Sequence, residues 1–171
     1  MQTNYRQIAD TQADDGAPVA ELIGRYRAGC ELLRESIEDL PAEELISYPV
    51  PGKMSVLEVV AHVADCEQFG ADRLKRTIAM ERPLLMGSDG WLYPDALHYS
   101  KRDIGLDLEL VRVTREQMAR DLELLTPETW ERVAVHSEAG LVTLRQLLLH
   151  FVRHLEWHIE TIREKRVALG R

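Results

Sequence analysis

A chain of 171 residues, 45% of them hydrophobic, is long enough to bury a core and fits one domain. Its net charge of −8 argues against a nucleic-acid partner, because phosphate binding needs a basic face. No apolar run approaches the roughly 20 residues of a membrane span, and Asp10, Asp14 and Asp15 stand where a signal peptide would be basic and then apolar. Cys30 and Cys66, both on predicted helices, read as reduced thiols of a cytoplasmic protein.

Residues 1–17 are polar and acidic and are expected to form a poorly ordered lead-in to one domain over residues 18–171. The first helix is predicted from Pro18 to about Leu40, before Pro41. Its apolar stripe is Val19, Leu22, Ile23, Tyr26, Cys30, Leu33 and Ile37. Three prolines and a glycine make PAEELISYPVPGKM a connection. Ser55, with Glu58 three residues on, forms a capping box for a second helix that runs to about Glu81, before Pro83. Val56, Val59, Val60, Val63, Leu74 and Ile78 make its core face. His62 lies about a third of a turn from the centre of that face, on the side of Cys66 and Phe69.

Residues 82–104 form a long connection rich in aromatic residues, among them Trp91, Tyr93 and Tyr99. Such a loop is expected to pack, and it is long enough to let the helices it joins run parallel. The third helix is predicted from Leu106 to Leu125. Leu110, Val111, Val113, Met118, Leu122 and Leu125 form its stripe, and Arg112, Arg115, Glu116 and Arg120 a solvated face without chemistry. TPETW reads as one helical turn, and ERVAVHSEAGLV as irregular chain with room for a short hairpin. Thr143 and Gln146 make a second capping box, which opens a last helix that ends near Leu169. Four amphipathic helices without a convincing strand give an all-α four-helix bundle.

The last helix carries His150, His154 and His158 at intervals of four residues, the spacing at which side chains are neighbours on a helix. Its apolar stripe is Leu144, Leu148, Phe151, Leu155, Ile159 and Ile162. At about 100° per residue, His158 falls in the flank of that stripe, His154 at its edge and His150 further out, towards solvent. An inward pair offers two ligands, and a zinc-like ion with an open position wants three from the protein. His62 is the best remaining candidate, although one histidine beside an apolar face is more often a hydrogen-bonded core residue. Three imidazoles favour zinc, nickel, copper or iron(II) over magnesium or calcium.

Other sites fit less well. HLEWH is not the H-E-x-x-H of zinc proteases, because Glu156 projects to nearly the opposite side of the helix from His154. A di-iron bundle needs inward Glu-x-x-His pairs, and none ends at His62, His154 or His158. Glu58 and Asp65 read better as a cap residue and a surface carboxylate than as partners of a ligand. Cys66 reads better as a packed thiol than as a fourth ligand, His98 and His136 as loop histidines, and Trp157 as a packing or dimer residue.

With VAHVADCE around His62 and TLRQLLLHFVRHLEWHIETI near the C-terminus, the chain resembles the DinB/YfiT-like family over roughly residues 18–168. The resemblance implies an up-down-down-up four-helix bundle, commonly a homodimer. It also implies His62, His154 and His158 as ligands of a divalent metal, nickel or zinc foremost, with iron or manganese as alternatives. His150 matches a position where relatives carry a histidine that is not a principal ligand. The implied activity is that of a metal-dependent hydrolase or thiol S-transferase, which turns water or a low-molecular-weight thiol on a small electrophile. The long loop with Trp91, Tyr93 and Tyr99 would wall the substrate pocket. The alternative is a non-catalytic stress-response bundle stapled by a structural metal.

Overall fold

The protein is described here by a computed structural model covering residues 16–171, so the lead-in expected over residues 1–17 lies outside it apart from Gly16 and Ala17. In chain order the elements are α1 (Val19–Ser36), the one-turn α2 (Ala42–Leu45), α3 (Val56–Ala79), β1 (Leu84–Leu85), the one-turn α4 (Tyr93–Ala96), α5 (Ile104–Glu123), β2 (Val133–His136), β3 (Gly140–Thr143) and α6 (Leu144–Ala168). Short 3-10 turns at Tyr99–Lys101 and Pro127–Glu131 complete the chain.

The capping residues read from the sequence start the two helices that matter most. Ser55 accepts from the Glu58 N–H while Glu58 returns a bond to the Ser55 N–H, and Thr143 and Gln146 do the same for α6. Asp103 caps α5 by accepting the Gly105 and Leu106 N–H groups, which moves its start to Ile104. The first helix stops at Ser36, before the predicted Leu40, and its chain turns through a left-handed Asp39.

The four long helices make a four-helix bundle whose directions follow from two apolar clusters stacked along its axis. One cluster holds Leu22, Ile23 and Tyr26 of α1, Ala71 and Leu74 of α3, Met118, Ala119 and Leu122 of α5, and the first two turns of α6. The other holds Leu33 of α1, Val56 to Ala64 of α3, Val111 of α5, and Leu155, Ile159 and Ile162 of α6. Helices α1 and α6 therefore run from the first cluster to the second, and α3 and α5 run the other way. That is the up-down-down-up order. Two arginines mark the parallel pair: Arg145 donates to the Ala17 carbonyl at one end of α1, and Arg166 to those of Ser36 and Glu38 at the other. Each of α1 and α3 packs chiefly on α5 and α6, which leaves the N-terminal halves of α3 and the C-terminal half of α6 facing each other across the second cluster.

Two expectations are corrected. A small three-stranded sheet is present, with β1 parallel to β2 and β2 antiparallel to β3. Its strands are two to four residues long, too short for alternation to register in the sequence. The β2–β3 hairpin turns at Gly140, whose φ of 75° suits a residue without Cβ.

The second correction concerns Arg115, which is not on a solvated face but wholly buried. It lies four residues after Val111 and three before Met118, squarely on the inner stripe of α5, whereas Val113 is exposed. Its guanidinium bonds Glu67 of α3 at 2.6 Å and the carbonyls of Tyr26 (2.8 Å) and Phe151 (2.9 Å), and stacks over the Tyr26 ring at 4.4 Å. Tyr26 also donates to Glu67 at 3.2 Å. One ion pair thus pins all four long helices. Gly29 leaves the room: a Cβ there would lie 2.5 Å from the guanidinium and 2.6 Å from Leu155.

Candidate metal centre

Around the facing halves of α3 and α6, His62, His154 and His158 converge. Their ligand-capable nitrogens lie within 4.8 Å of one another. The ring of His62 is 4.8 Å from that of His158 and 5.5 Å from that of His154, centre to centre. The Nε2 atoms of His154 and His158 are 3.2 Å apart. Two nitrogens bound at 2.0–2.1 Å to one tetrahedral ion would be about 3.3 Å apart, so the pair already has the spacing of shared ligands.

The rings are also in the protonation state a metal requires. Burial pushes the His62 imidazole down to about 4, against a small opposing pull from Asp65. Burial, then the neighbouring imidazoles, hold His154 well below its ordinary value, and burial and His62 do the same for His158. Neutral imidazoles are ready to ligate at neutral pH. The Nδ1 atoms of both His154 and His158 are buried without a hydrogen-bond partner. Leaving such atoms unmet costs about 1–3 kcal/mol each, so the two rings are held in place against a cost to the fold. The donor set therefore fits a transition metal.

His150 is half-buried and does not face open solvent as its helical angle implied. Its ring stands 6.0 Å from His154 and edge-on to Phe151, and burial brings it down to about 4. His98 is exposed, as expected of a loop histidine. His136 is buried on β2, where its Nδ1 accepts the N–H groups of Glu138 and Ala139, and burial, with Arg73 nearby, brings it down to about 4. Cys66, one turn after His62, has its Sγ 3.5 Å from His62 Nε2, and burial pushes its thiol up to about 12. Glu58 is the cap residue its position suggested and also accepts from the Tyr48 hydroxyl. Glu156 turns away to a bidentate pair with Arg25.

Asp65 is not a surface carboxylate. Its oxygens take the Tyr99 hydroxyl at 2.7 Å and Arg102 at 3.1 Å, and Arg102 also binds Asp107 at the start of α5. This network ties the long connection to α3 and α5. Trp91, earlier in the same connection, stacks on the His62 ring at 6.2 Å with an interplanar angle of 21°. Trp157 stands edge-on to His158 at 4.7 Å, so two part-exposed indoles flank the trio. Beside them, Tyr93 with Leu92, Ala96, Leu97, Asp65, Gln68 and Phe69 lines a cleft of about 490 Å³. Of the three aromatic residues expected to wall the pocket, Tyr93 lines this cleft and Trp91 and Tyr99 do not; the Tyr99 side chain is buried. The stacking of Trp91 could not be read from the sequence beyond the aromatic content of its loop.

Buried neutral histidines make stability depend on pH in one direction. For His62 and His136 the folded value, about 4, lies below the unfolded value of about 6.5. Their contribution is complete above pH 6.5 and is lost as the pH falls from 6.5 towards 4, because the unfolded chain binds the protons. Metal-free protein is expected to lose about 2 kcal/mol for each of these two histidines between pH 7.5 and 5. Urea melts at pH 7.5 and 5.0 measure this, and equal midpoints would contradict it.

Comparison with known proteins places the chain. Over 157 residues it is 27% identical to an inferred metal-dependent hydrolase of Bacillus licheniformis, covering 91% of this chain and 89% of that protein. A second inferred metal-dependent hydrolase, from Oceanobacillus iheyensis, is 26% identical over 131 residues, 77% of this chain and 76% of the relative. The fold is similar to that of YfiT from Bacillus subtilis, a probable metal-dependent hydrolase with an unusual four-helix bundle topology. That match has a TM-score of 0.84 at 22% identity, covering 89% of this chain and 87% of YfiT. A mycothiol-dependent maleylpyruvate isomerase shares the fold at a TM-score of 0.67 and 13% identity, covering 84% of this chain and 60% of the isomerase. Residues 25–162, most of the chain, match the sequence pattern of the DinB superfamily, and the protein belongs to that superfamily.

Proposed function

We propose that this protein is a metal-dependent enzyme whose His62, His154 and His158 hold one divalent transition metal, nickel or zinc, and which turns water or a low-molecular-weight thiol on a small electrophile. The observation that carries this reading is the 3.2 Å approach of the His154 and His158 Nε2 atoms, with His62 closing on them from the opposite helix. When bound, such an ion supplies the Lewis acidity that makes a water or thiol nucleophilic near pH 7. The chain's own residues do the rest. The imidazoles stay neutral as ligands, Trp91 and Trp157 restrict water at the flanks, and the Asp65–Tyr99–Arg102 network holds the loop that carries Trp91.

The thiol alternative to water draws on the mycothiol-dependent isomerase that shares the fold. Iron and manganese are the alternatives for the native metal, and imidazole ligands bind both more weakly than nickel or zinc. A cytoplasmic location suits the two free cysteines, and a homodimer is the assembly we expect. Among the described residues no helix is long and apolar enough to cross a membrane.

A second reading has one specific observation behind it. The Cys66 thiol at 3.5 Å from His62 Nε2 could close the fourth position and make the metal a structural staple. Zinc- and nickel-loaded protein, assayed for hydrolysis of 4-nitrophenyl acetate and for thiol conjugation of 1-chloro-2,4-dinitrobenzene, separates the two. Turnover that disappears on metal removal and in His154→Ala supports the enzyme. Fully loaded protein without turnover of either kind overturns it.

A further inference from the structure

We propose that the cleft beside the histidine trio binds the uncharged aromatic body of the substrate, a proposal that rests on reading the trio as a reaction centre. Position comes first. Asp65 and Phe69 follow His62 by three and seven residues, so the cleft's helical wall continues the face that carries the imidazole. Leu92 and Tyr93, on its other wall, follow directly on Trp91, which stacks on that imidazole. The cleft thus begins one helical turn beyond His62 on α3 and directly after Trp91 in the chain.

Size and charge narrow the ligand. A volume of about 490 Å³ suits a small organic molecule, within the roughly 300–1,000 Å³ of ordinary ligand pockets. Among the described residues that line it, Asp65 alone is charged, and both its oxygens are occupied by Tyr99 and Arg102. The walls thus offer a ligand charge no free counter-charge, and desolvating a charge there would be unfavourable. Phe69 and Tyr93 lie 5.9 Å apart, tilted by 54°, which leaves ring faces and edges for a third ring to pack against. Leu92 and Leu97 of its lining are 66% and 51% exposed, apolar surface that a ligand would cover.

Fluorescence titration tests this with two probes of the same ring system: neutral N-phenyl-1-naphthylamine and anionic 8-anilino-1-naphthalenesulfonate. The wild-type protein is expected to bind the neutral probe about tenfold more tightly or better. Ala96→Trp fills the cleft from an exposed position, and Leu97→Glu places a charge in it. Each is expected to weaken the neutral probe about tenfold without lowering the melting temperature. His154→Ala is expected to lose metal and keep probe binding, so failure of the metal reading leaves the cleft result standing. In loaded, active protein the neutral probe is expected to compete with an aryl substrate. Probe binding unchanged in both cleft variants, a preference for the anion, or turnover unaffected by saturating probe would overturn the proposal.

Discussion

Glu67→Ala is expected to destabilise the protein by about 3–5 kcal/mol, because it leaves the Arg115 guanidinium buried without its carboxylate. Domains of this size are stable by about 5–15 kcal/mol, so the variant should sit near the edge of folding at 37 °C. The cost does not measure the worth of the ion pair. Both side chains are withdrawn from water almost completely, and their attraction first has to offset that desolvation. The double variant Glu67→Leu with Arg115→Met is therefore expected to recover most of the loss. Urea denaturation of the two single variants and the double variant closes the cycle. If Glu67→Ala costs under about 1 kcal/mol, the pair does not pin the four helices as described.

His154→Leu is expected to empty the metal site while holding the stability of the metal-free protein. Losing one of three ligands removes more than the 10–100-fold in affinity typical of losing a residue that merely orients a ligand. Yet the metal-free site is a burden on the fold: buried ring nitrogens without partners and neutral imidazoles crowded together. An apolar side chain of similar size removes the unmet His154 Nδ1 and one of the crowded rings, at the cost of the His154–His158 Nε2 contact, so the two effects offset. Calorimetry in the presence of a chelator, against the wild type, reports the second half of this expectation. A melting point several degrees below the wild type would mean that His154 serves packing first.

The bundle was legible because its determinants are local and periodic. Ser55 with Glu58 and Thr143 with Gln146 announce α3 and α6 by residue type at a fixed spacing, and both boxes are formed. The inner phases of His158 and His62 also follow from helical angle, and both are buried. What failed was chemistry that contradicts residue type. Arg115 sits on the apolar stripe of α5, but an arginine in a sequence reads as surface unless its carboxylate partner, 48 residues away, is known. Asp65 was misread for the same reason, since Tyr99 and Arg102 reach it from a loop without periodicity. The β2–β3 hairpin falls where the sequence left room for one, but β1 meets β2 some fifty residues later, a pairing that no local pattern encodes. His150 shows the limit of phase itself: its angle points outward, but the neighbouring rings of Phe151 and His154 cover it.

The metal content of protein purified without chelator tests the central claim most directly. Elemental analysis of the wild type is expected to find about one equivalent of a divalent transition metal per chain, and less than about a tenth of that in His62→Ala, His154→Ala and His158→Ala. His150→Ala is expected to keep its metal. Full metal content in any of the three single variants, or a wild type that neither carries nor takes up nickel or zinc, would contradict the account.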